Sequence, residues 1–253
     1  MTDEATRQTL DRFVAAVCRP LPLVSVWAHG SLAGGDHRPG RSDLDLVAVL
    51  NRRCTRTERR RLAEAHESLA RELPLAVKLH CAYPPAPELG DPSRRHLTWA
   101  HEKLMRRPVT PVARRELHTF GLVLHGPPPA GLLPRVSDDE LAAFVLGDLA
   151  GYWRPALAHR KRWRRDVWVD LGMLTLARAL VTLREGRLIT KAEALGELPG
   201  LGAPGEVVDD IRRRRYGEPG PAAPDWTIRR AELTVSFLGP AIDRVLAEHS
   251  PAA

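Results

Sequence analysis

Val24-Ser25-Val26-Trp27-Ala28-His29-Gly30-Ser31 and, after a short connection, Ser42-Asp43-Leu44-Asp45-Leu46-Val47-Ala48-Val49-Leu50 are the two segments that decide the fold. Both apolar runs read as strands inside a covered sheet. Between them lies a Gly-Ser turn. Gly30 lets the backbone approach a ligand, and Ser31 is placed to open a helix whose first N–H groups suit a phosphate. Asp43 and Asp45 are two apart on a strand, so their carboxylates point to one side. Side by side they repel unless a cation lies between them. Mg²⁺ suits them, because it takes one or two carboxylates and completes its shell with phosphate oxygens and water. The bland alternative is a strand entry with two solvated aspartates. The upstream Gly-Ser, the apolar flanks and Gly34-Gly35 in the loop favour a nucleotidyl-transfer site.

The spacing G-S-x(10)-S-D-x-D-L resembles the signature of the polymerase-β-like nucleotidyltransferase superfamily. That resemblance implies a mixed sheet, Mg²⁺ and a nucleoside triphosphate. It leaves the acceptor open, since the superfamily spans antibiotic adenylyltransferases, tRNA- and protein-modifying enzymes and small antitoxins.

At 253 residues, with 43% hydrophobic content, the chain has material for one large domain or two modest ones. Cys18, Cys54 and Cys81 are odd in number and lack metal-ligand spacing, which predicts reduced thiols rather than a disulfide framework. The polar start Met1-Thr2-Asp3-Glu4 has no signal-peptide pattern, and no apolar run of membrane length follows, so a cytoplasmic protein without membrane contact is expected. The net charge of +7 favours polyanions such as ATP or RNA and argues mildly against a polycationic acceptor. Its two densest runs, 160–165 and 212–215, read as solvated helix faces.

Leu10, Phe13, Val14 and Val17 predict a helix over 4–18, ended by Pro20 and Pro22. Thr55 to Leu73 reads as a crossover helix, with Leu62, Ala65, Leu69 and Leu73 as its apolar stripe. Leu75 to Cys81 reads as the next strand. A loop covers 84–93, a helix 112–121, and a short apolar segment ends at Leu124. The proline-rich 126–131 is the clearest linker. Ser137-Asp138-Asp139-Glu140 is a capping box that opens a long helix, and Thr190 with Glu193 is a second box. Helical patterns cover 165–186, 190–198, 205–215 and 226–248. The expected class is α+β: a nucleotidyltransferase domain over 1–132, with a mixed sheet and flanking helices, then an all-α bundle over 133–253.

Leu171-Gly172-Met173-Leu174-Thr175-Leu176-Ala177-Arg178, followed by Glu185-Gly186-Arg187-Leu188-Ile189-Thr190-Lys191-Ala192-Glu193-Ala194, resembles the helical domain of the streptomycin/spectinomycin adenylyltransferases. The resemblance implies that Ser31 and Ser42, beside the ligand-approaching Gly30, hold the triphosphate and that Asp43 and Asp45 hold Mg²⁺. It also implies that Arg178, Lys191 and Tyr216 reach ATP from the helical domain. Three places depart from the family. Its general-base carboxylate aligns with Ala76, on whose strand face alternation puts Lys78 and His80. An aspartate near the nucleotide aligns with Pro134. The residues that hold streptomycin align with the neighbourhood of His159, Arg164 and Trp168. His80 is the candidate replacement base.

The expectation is therefore Mg²⁺-dependent transfer of AMP from ATP to a hydroxyl of an aminoglycoside-type antibiotic, by a monomer with no specific nucleic-acid partner. The alternatives are a different acceptor, RNA or protein, and a catalytically weak nucleotide-binding homologue lacking the carboxylate at Ala76.

Overall fold

The computed structural model describes residues 3–218, 220 and 223–249; Met1 and Thr2, part of the polar start, lie outside that range. The chain divides into two compact units, Met1–Ser137 and Asp138–Ala253.

In the first unit, Asp3 caps helix α1 (Glu4–Cys18) by accepting the Thr6 N–H, and Leu10, Phe13 and Val17 form its buried stripe. Strand β1 (Leu23–Ala28) follows, then a single-turn helix α2 (Gly30–Ala33) and β2 (Leu44–Leu50). The crossover α3 (Arg56–Glu72) opens on a capping box, Thr55 with Glu58. Next come β3 (Leu79–Tyr83), β4 (His96–Ala100), β5 (Lys103–Arg107), α4 (Pro111–Phe120) and β6 (Leu122–His125). The six strands form one sheet in the order β5-β4-β3-β2-β1-β6. Of the neighbouring pairs, β2 and β3 run parallel, joined by the crossover helix; the other pairs are antiparallel. With the helical second unit, this mixed sheet makes the fold α+β.

Two segments depart from the sequence reading. Leu75–Cys81 is not one strand: Pro74–Lys78 is a 3₁₀ turn and the strand starts at Leu79. Pro74 fixes its own φ and lacks an N–H, and the Ala76 N–H closes back on the Leu73 carbonyl at 2.9 Å. Ala76 is 2% exposed and packs in the apolar cluster that holds Phe13, Leu44 and Leu79. Strand alternation therefore does not place Ala76 beside the aspartates. The residue in register with Asp45 is His80. The second departure is the β4–β5 hairpin, which sequence patterning does not reveal. Its turn residues His101 and Glu102 take φ of 52° and 57°, where Asn-Gly would be the recognisable signal.

α4 is tied to the end of its own unit. Arg114 Nη2 donates to the Pro134 carbonyl at 3.1 Å, Arg115 Nη2 to the Val136 carbonyl at 2.8 Å, and His118 Nε2 lies 2.9 Å from the Leu133 carbonyl.

The second unit is helical: α5 (Asp138–Asp148), α6 (Arg154–Ala156), α7 (Asp166–Glu185), α8 (Lys191–Glu197), α9 (Gly205–Tyr216) and α10 (Pro224–Glu248). A π-turn, Leu149–Trp153, joins α5 to α6. The Thr190–Glu193 box is formed. Val169, Met173, Ala177 and Val181 of α7 lie in the helical core.

The run 212–215 is not simply a solvated face. The Arg214 side chain is 11% exposed and bonds Asp170 at 2.6 Å and Asp210 at 2.9 Å. Arg230, fully buried on α10, reaches Asp210 at 2.9 Å and Asp166 at 2.5 Å. Burial pushes the Asp210 carboxyl up, but hydrogen bonds from Arg230, Arg213 and Arg214 together with the Arg214 charge hold it at about 2. The charged side chains of 160–165 are exposed, as solvated residues should be, and Trp163 among them is buried. Among the described residues no helix is long and apolar enough to cross a membrane.

His66, on the inner face of α3, stacks on Trp99 at 4.5 Å and pairs with the Tyr83 hydroxyl at 2.6 Å. Burial drives its pKa from 6.5 down to about 3. The unfolded chain therefore takes up a proton here before the folded chain does, and stability falls as pH drops from 6.5 toward 3. The slope from this one site is about 1.4 kcal/mol per pH unit. Urea unfolding of His66→Phe at neutral and mildly acidic pH should show a smaller loss than the parent chain; an equal loss would refute the assignment.

Candidate active site

The antiparallel pairing of β1 and β2 brings the end of one strand to the start of the other, and the His29 N–H continues the ladder by donating to the Asp45 carbonyl at 2.9 Å. The next residue, Gly30, has φ +63°, and a Cβ there would stand 2.7 Å from Asp45 Oδ2. The positive φ and this close approach both favour glycine, which lets the turn lie against the carboxylate. Its N–H donates to Glu116 Oε2 at 3.2 Å, so this amide is already engaged. Ser31 lies on α2, half-buried, and its carbonyl accepts the Asp36 N–H at 3.0 Å. Ser42 is buried, and its Oγ accepts the Arg38 N–H at 3.1 Å, closing the loop before Asp43.

The side chains of Asp43 and Asp45 are 44% and 36% exposed. Lys78 Nζ is 3.9 Å from Asp43 Oδ1. His80 Nδ1 is 3.8 Å from Asp43 Oδ2 and 3.9 Å from Asp45 Oδ1. The His80 ring meets His101, from the hairpin turn, edge-on at 4.6 Å. Burial raises the Asp45 carboxyl, and Asp43 and Glu116 push the same way against the opposing His29 and His80. Burial lowers the His80 pKa, only partly offset by Asp43 and Asp45, so its imidazole is neutral near pH 7. Burial also disfavours a charged His29, but the Glu116 hydrogen bond and the Asp45 charge outweigh it and raise that pKa.

This donor set fits Mg²⁺. Two hard carboxylates share a side, both are partly open, and the Asp45 ionisation is opposed by its own surroundings, which a cation would reverse. Mg²⁺ takes one or two carboxylates and completes its shell with phosphate oxygens and water. Asp43 and Asp45 are the residues that would hold it.

The other residues singled out in the sequence lie in the second unit or near the end of the first. Arg178 Nε donates to the Ile189 carbonyl at 2.9 Å, fixing the segment that leads through the Thr190 cap to Lys191. Tyr216 ends α9, packs on the helical core and lies under the Arg215 guanidinium at 5.8 Å. Pro134 is a structural anchor whose carbonyl takes the Arg114 bond. His159 and Arg164 are exposed, and Trp168 stacks with Tyr152 at 6.2 Å beneath Arg162. Glu116 and His101 join the site without any signal in the sequence. Glu116 follows two arginines in a helical pattern and reads as a surface charge. His101 depends on a hairpin whose turn carries no glycine.

Residues 10–97 match the family model of the nucleotidyltransferase domain. The crystal structure of spectinomycin adenyltransferase AAD(9) from Enterococcus faecialis, with ATP and spectinomycin, has a similar fold: TM-score 0.73 at 15% identity, covering 94% of this chain and 99% of that one. Comparison with the curated proteins finds no significant match. The matched residues lie within the first unit, and the likeness in fold extends over nearly the whole chain.

Substituting Gly30 tests the close approach to Asp45. Gly35 has a similar φ, +79°, but a methyl group placed there would meet nothing within 4 Å, so Gly35→Ala isolates the backbone cost. That cost is about 1–2 kcal/mol. Urea unfolding should show Gly30→Ala to be the more destabilised of the two; equal losses would mean that Asp45 moves aside freely.

Proposed function

We propose that this nucleotidyltransferase-fold chain transfers AMP from Mg²⁺-ATP to a hydroxyl of a small acceptor, an aminoglycoside-type antibiotic of the streptomycin/spectinomycin kind, releasing pyrophosphate. The observation that carries the reading is the pair of open carboxylates, Asp43 and Asp45, the second lying against the Gly30 turn and both flanked by a neutral His80. The relative of similar fold carries ATP and spectinomycin, which supports both the donor and the acceptor class.

Mg²⁺ bound to Asp43 and Asp45 would neutralise triphosphate charge and align the reacting phosphorus. Ser31 and Ser42 flank the triphosphate in this reading, and Arg178, Lys191 and Tyr216 serve the nucleotide on the strength of the sequence resemblance. The acceptor oxygen attacks the α-phosphorus as the bond to the bridging oxygen of the β-phosphate breaks, and pyrophosphate leaves. His80 takes the proton of the attacking hydroxyl. It stands in register with Asp45, and burial keeps it in the proton-accepting form. The alternative, a catalytically weak nucleotide-binding homologue, is separated from this reading by turnover itself; Ala76, in the apolar core, does not decide between them. The protein is proposed to act in the cytoplasm as a monomer.

A second reading keeps the chemistry and changes the acceptor. Lys78 stands 3.9 Å from Asp43, and Arg160, Lys161, Arg162 and Arg164 are exposed on the helical unit. These cations favour an acceptor with negative charge, such as RNA or an acidic protein, over a polycation.

The deciding experiment measures pyrophosphate release with Mg²⁺-ATP across an antibiotic panel and a tRNA control. Release with spectinomycin or streptomycin supports the first reading; release with RNA alone reverses the order. Calorimetry on Asp43→Asn and Asp45→Asn should show weakened Mg²⁺-ATP binding, and unchanged binding in both would sink the metal assignment. His80→Ala should lower turnover about 10²–10⁴-fold, the usual contribution of a general base.

A further inference from the structure

One carboxylate oxygen organises the nucleotide-facing turn from behind. Glu116 Oε2 lies 2.9 Å from His29 Nδ1 and accepts the Gly30 N–H at 3.2 Å. Those two residues hold Asp45 from two sides: the His29 N–H bonds the Asp45 carbonyl, and the Gly30 Cα faces the Asp45 carboxylate so closely that a Cβ would not fit. Glu116 is buried, so its hydrogen bonds form in a medium of low polarity, where they are stronger than at the surface.

The helix carrying Glu116 is itself fixed. Thr110 caps α4 by accepting the Ala113 N–H, Pro111 starts it, and Arg114, Arg115 and His118 grip the carbonyls of residues 133–136. The Glu116 carboxylate therefore arrives from a rigid element, as a support for a precise site should. A surface role does not fit a buried acid, and a purely space-filling role does not need a carboxylate aimed at two donors.

We propose that Glu116 is a positioning residue of the nucleotide site. By clamping His29 and Gly30 it sets where the Gly-Ser turn and the Asp45 carboxylate stand for Mg²⁺-ATP. It touches neither substrate nor metal. The inference rests on the function proposed above and adds to it a residue that no part of the sequence signature contains.

The test is calorimetric titration of Mg²⁺-ATP into the full chain and into Glu116→Ala, Glu116→Asp and Glu116→Gln, well below each melting temperature. Glu116→Ala removes both bonds and should weaken binding at least about tenfold, in line with the loss of a hydrogen bond to a charged group. Glu116→Gln keeps an acceptor for the Gly30 N–H and should recover most of the affinity. Glu116→Asp keeps the charge but shortens the reach, and should bind more weakly than Glu116→Gln. A merely structural role would lower melting temperatures while leaving the affinity of the folded protein unchanged. If Glu116→Ala does not fold, the order of the Gln and Asp variants decides. Parental affinity in both Glu116→Ala and Glu116→Asp would overturn the proposal alone. A parent chain that fails to bind Mg²⁺-ATP would overturn the proposed function first, and this inference with it.

Discussion

The repulsion between Asp43 and Asp45 is the constraint around which the N-terminal unit is built. Strand geometry forces their carboxylates to one side, and burial of Asp45 beside the charge of Asp43 makes its ionisation costly. The fold answers with cationic or ionisable nitrogens near 4 Å rather than with tight pairs: Lys78 and His80 from the neighbouring strand region, held there by the parallel β2–β3 register. A tight Arg–carboxylate pair would have satisfied the aspartates and closed the site. The looser arrangement leaves them open to a divalent cation, and the glycine turn brings backbone close without occupying the same space.

The helical unit handles charge in the opposite way. Asp210 receives Arg213, Arg214 and Arg230, and the last of these is wholly buried. Here both Asp210 oxygens are matched at hydrogen-bonding distance, which is the condition under which buried ions are tolerable. The net positive charge of the chain therefore overstates its free cationic surface, since part of the arginine content is locked inside the bundle.

Much of this is legible in the residues. The helices of the second half announce themselves by apolar periodicity and by the Thr190–Glu193 box, and the two aspartates by their spacing beside a Gly-Ser turn. What escapes is set by tertiary context. Leu75-Ala76-Val77 has strand composition, but Pro74 and the end of α3 impose a tight turn first, which shifts the face assignment by moving Ala76 into the core. Alternation from Ala76 brings His80 to the aspartates, yet His80 stands there for a different reason, its pairing with Asp45. Glu116 is invisible because a charged residue in a helix looks solvated until its neighbours are known. The β4–β5 turn is hidden because two non-glycine residues occupy left-handed conformations there.

The grip of α4 on residues 133–136 bears on how the protein is best dissected. The proline-rich 126–131 invites a cut near 132, and such a fragment would retain every strand of the sheet. It would also strip away the carbonyls of Leu133, Pro134 and Val136, leaving the donors of Arg114, Arg115 and His118 without these acceptors. Arg114 is buried, so losing the Pro134 acceptor would weaken the hold on α4 and, through Glu116, loosen the turn that the helix supports. A first unit excised there would keep its sheet and yet be less stable than the same unit carried to its own end. Excision after Ser137 preserves the tether, and the difference between the two fragments is a single short tail, residues 133–137.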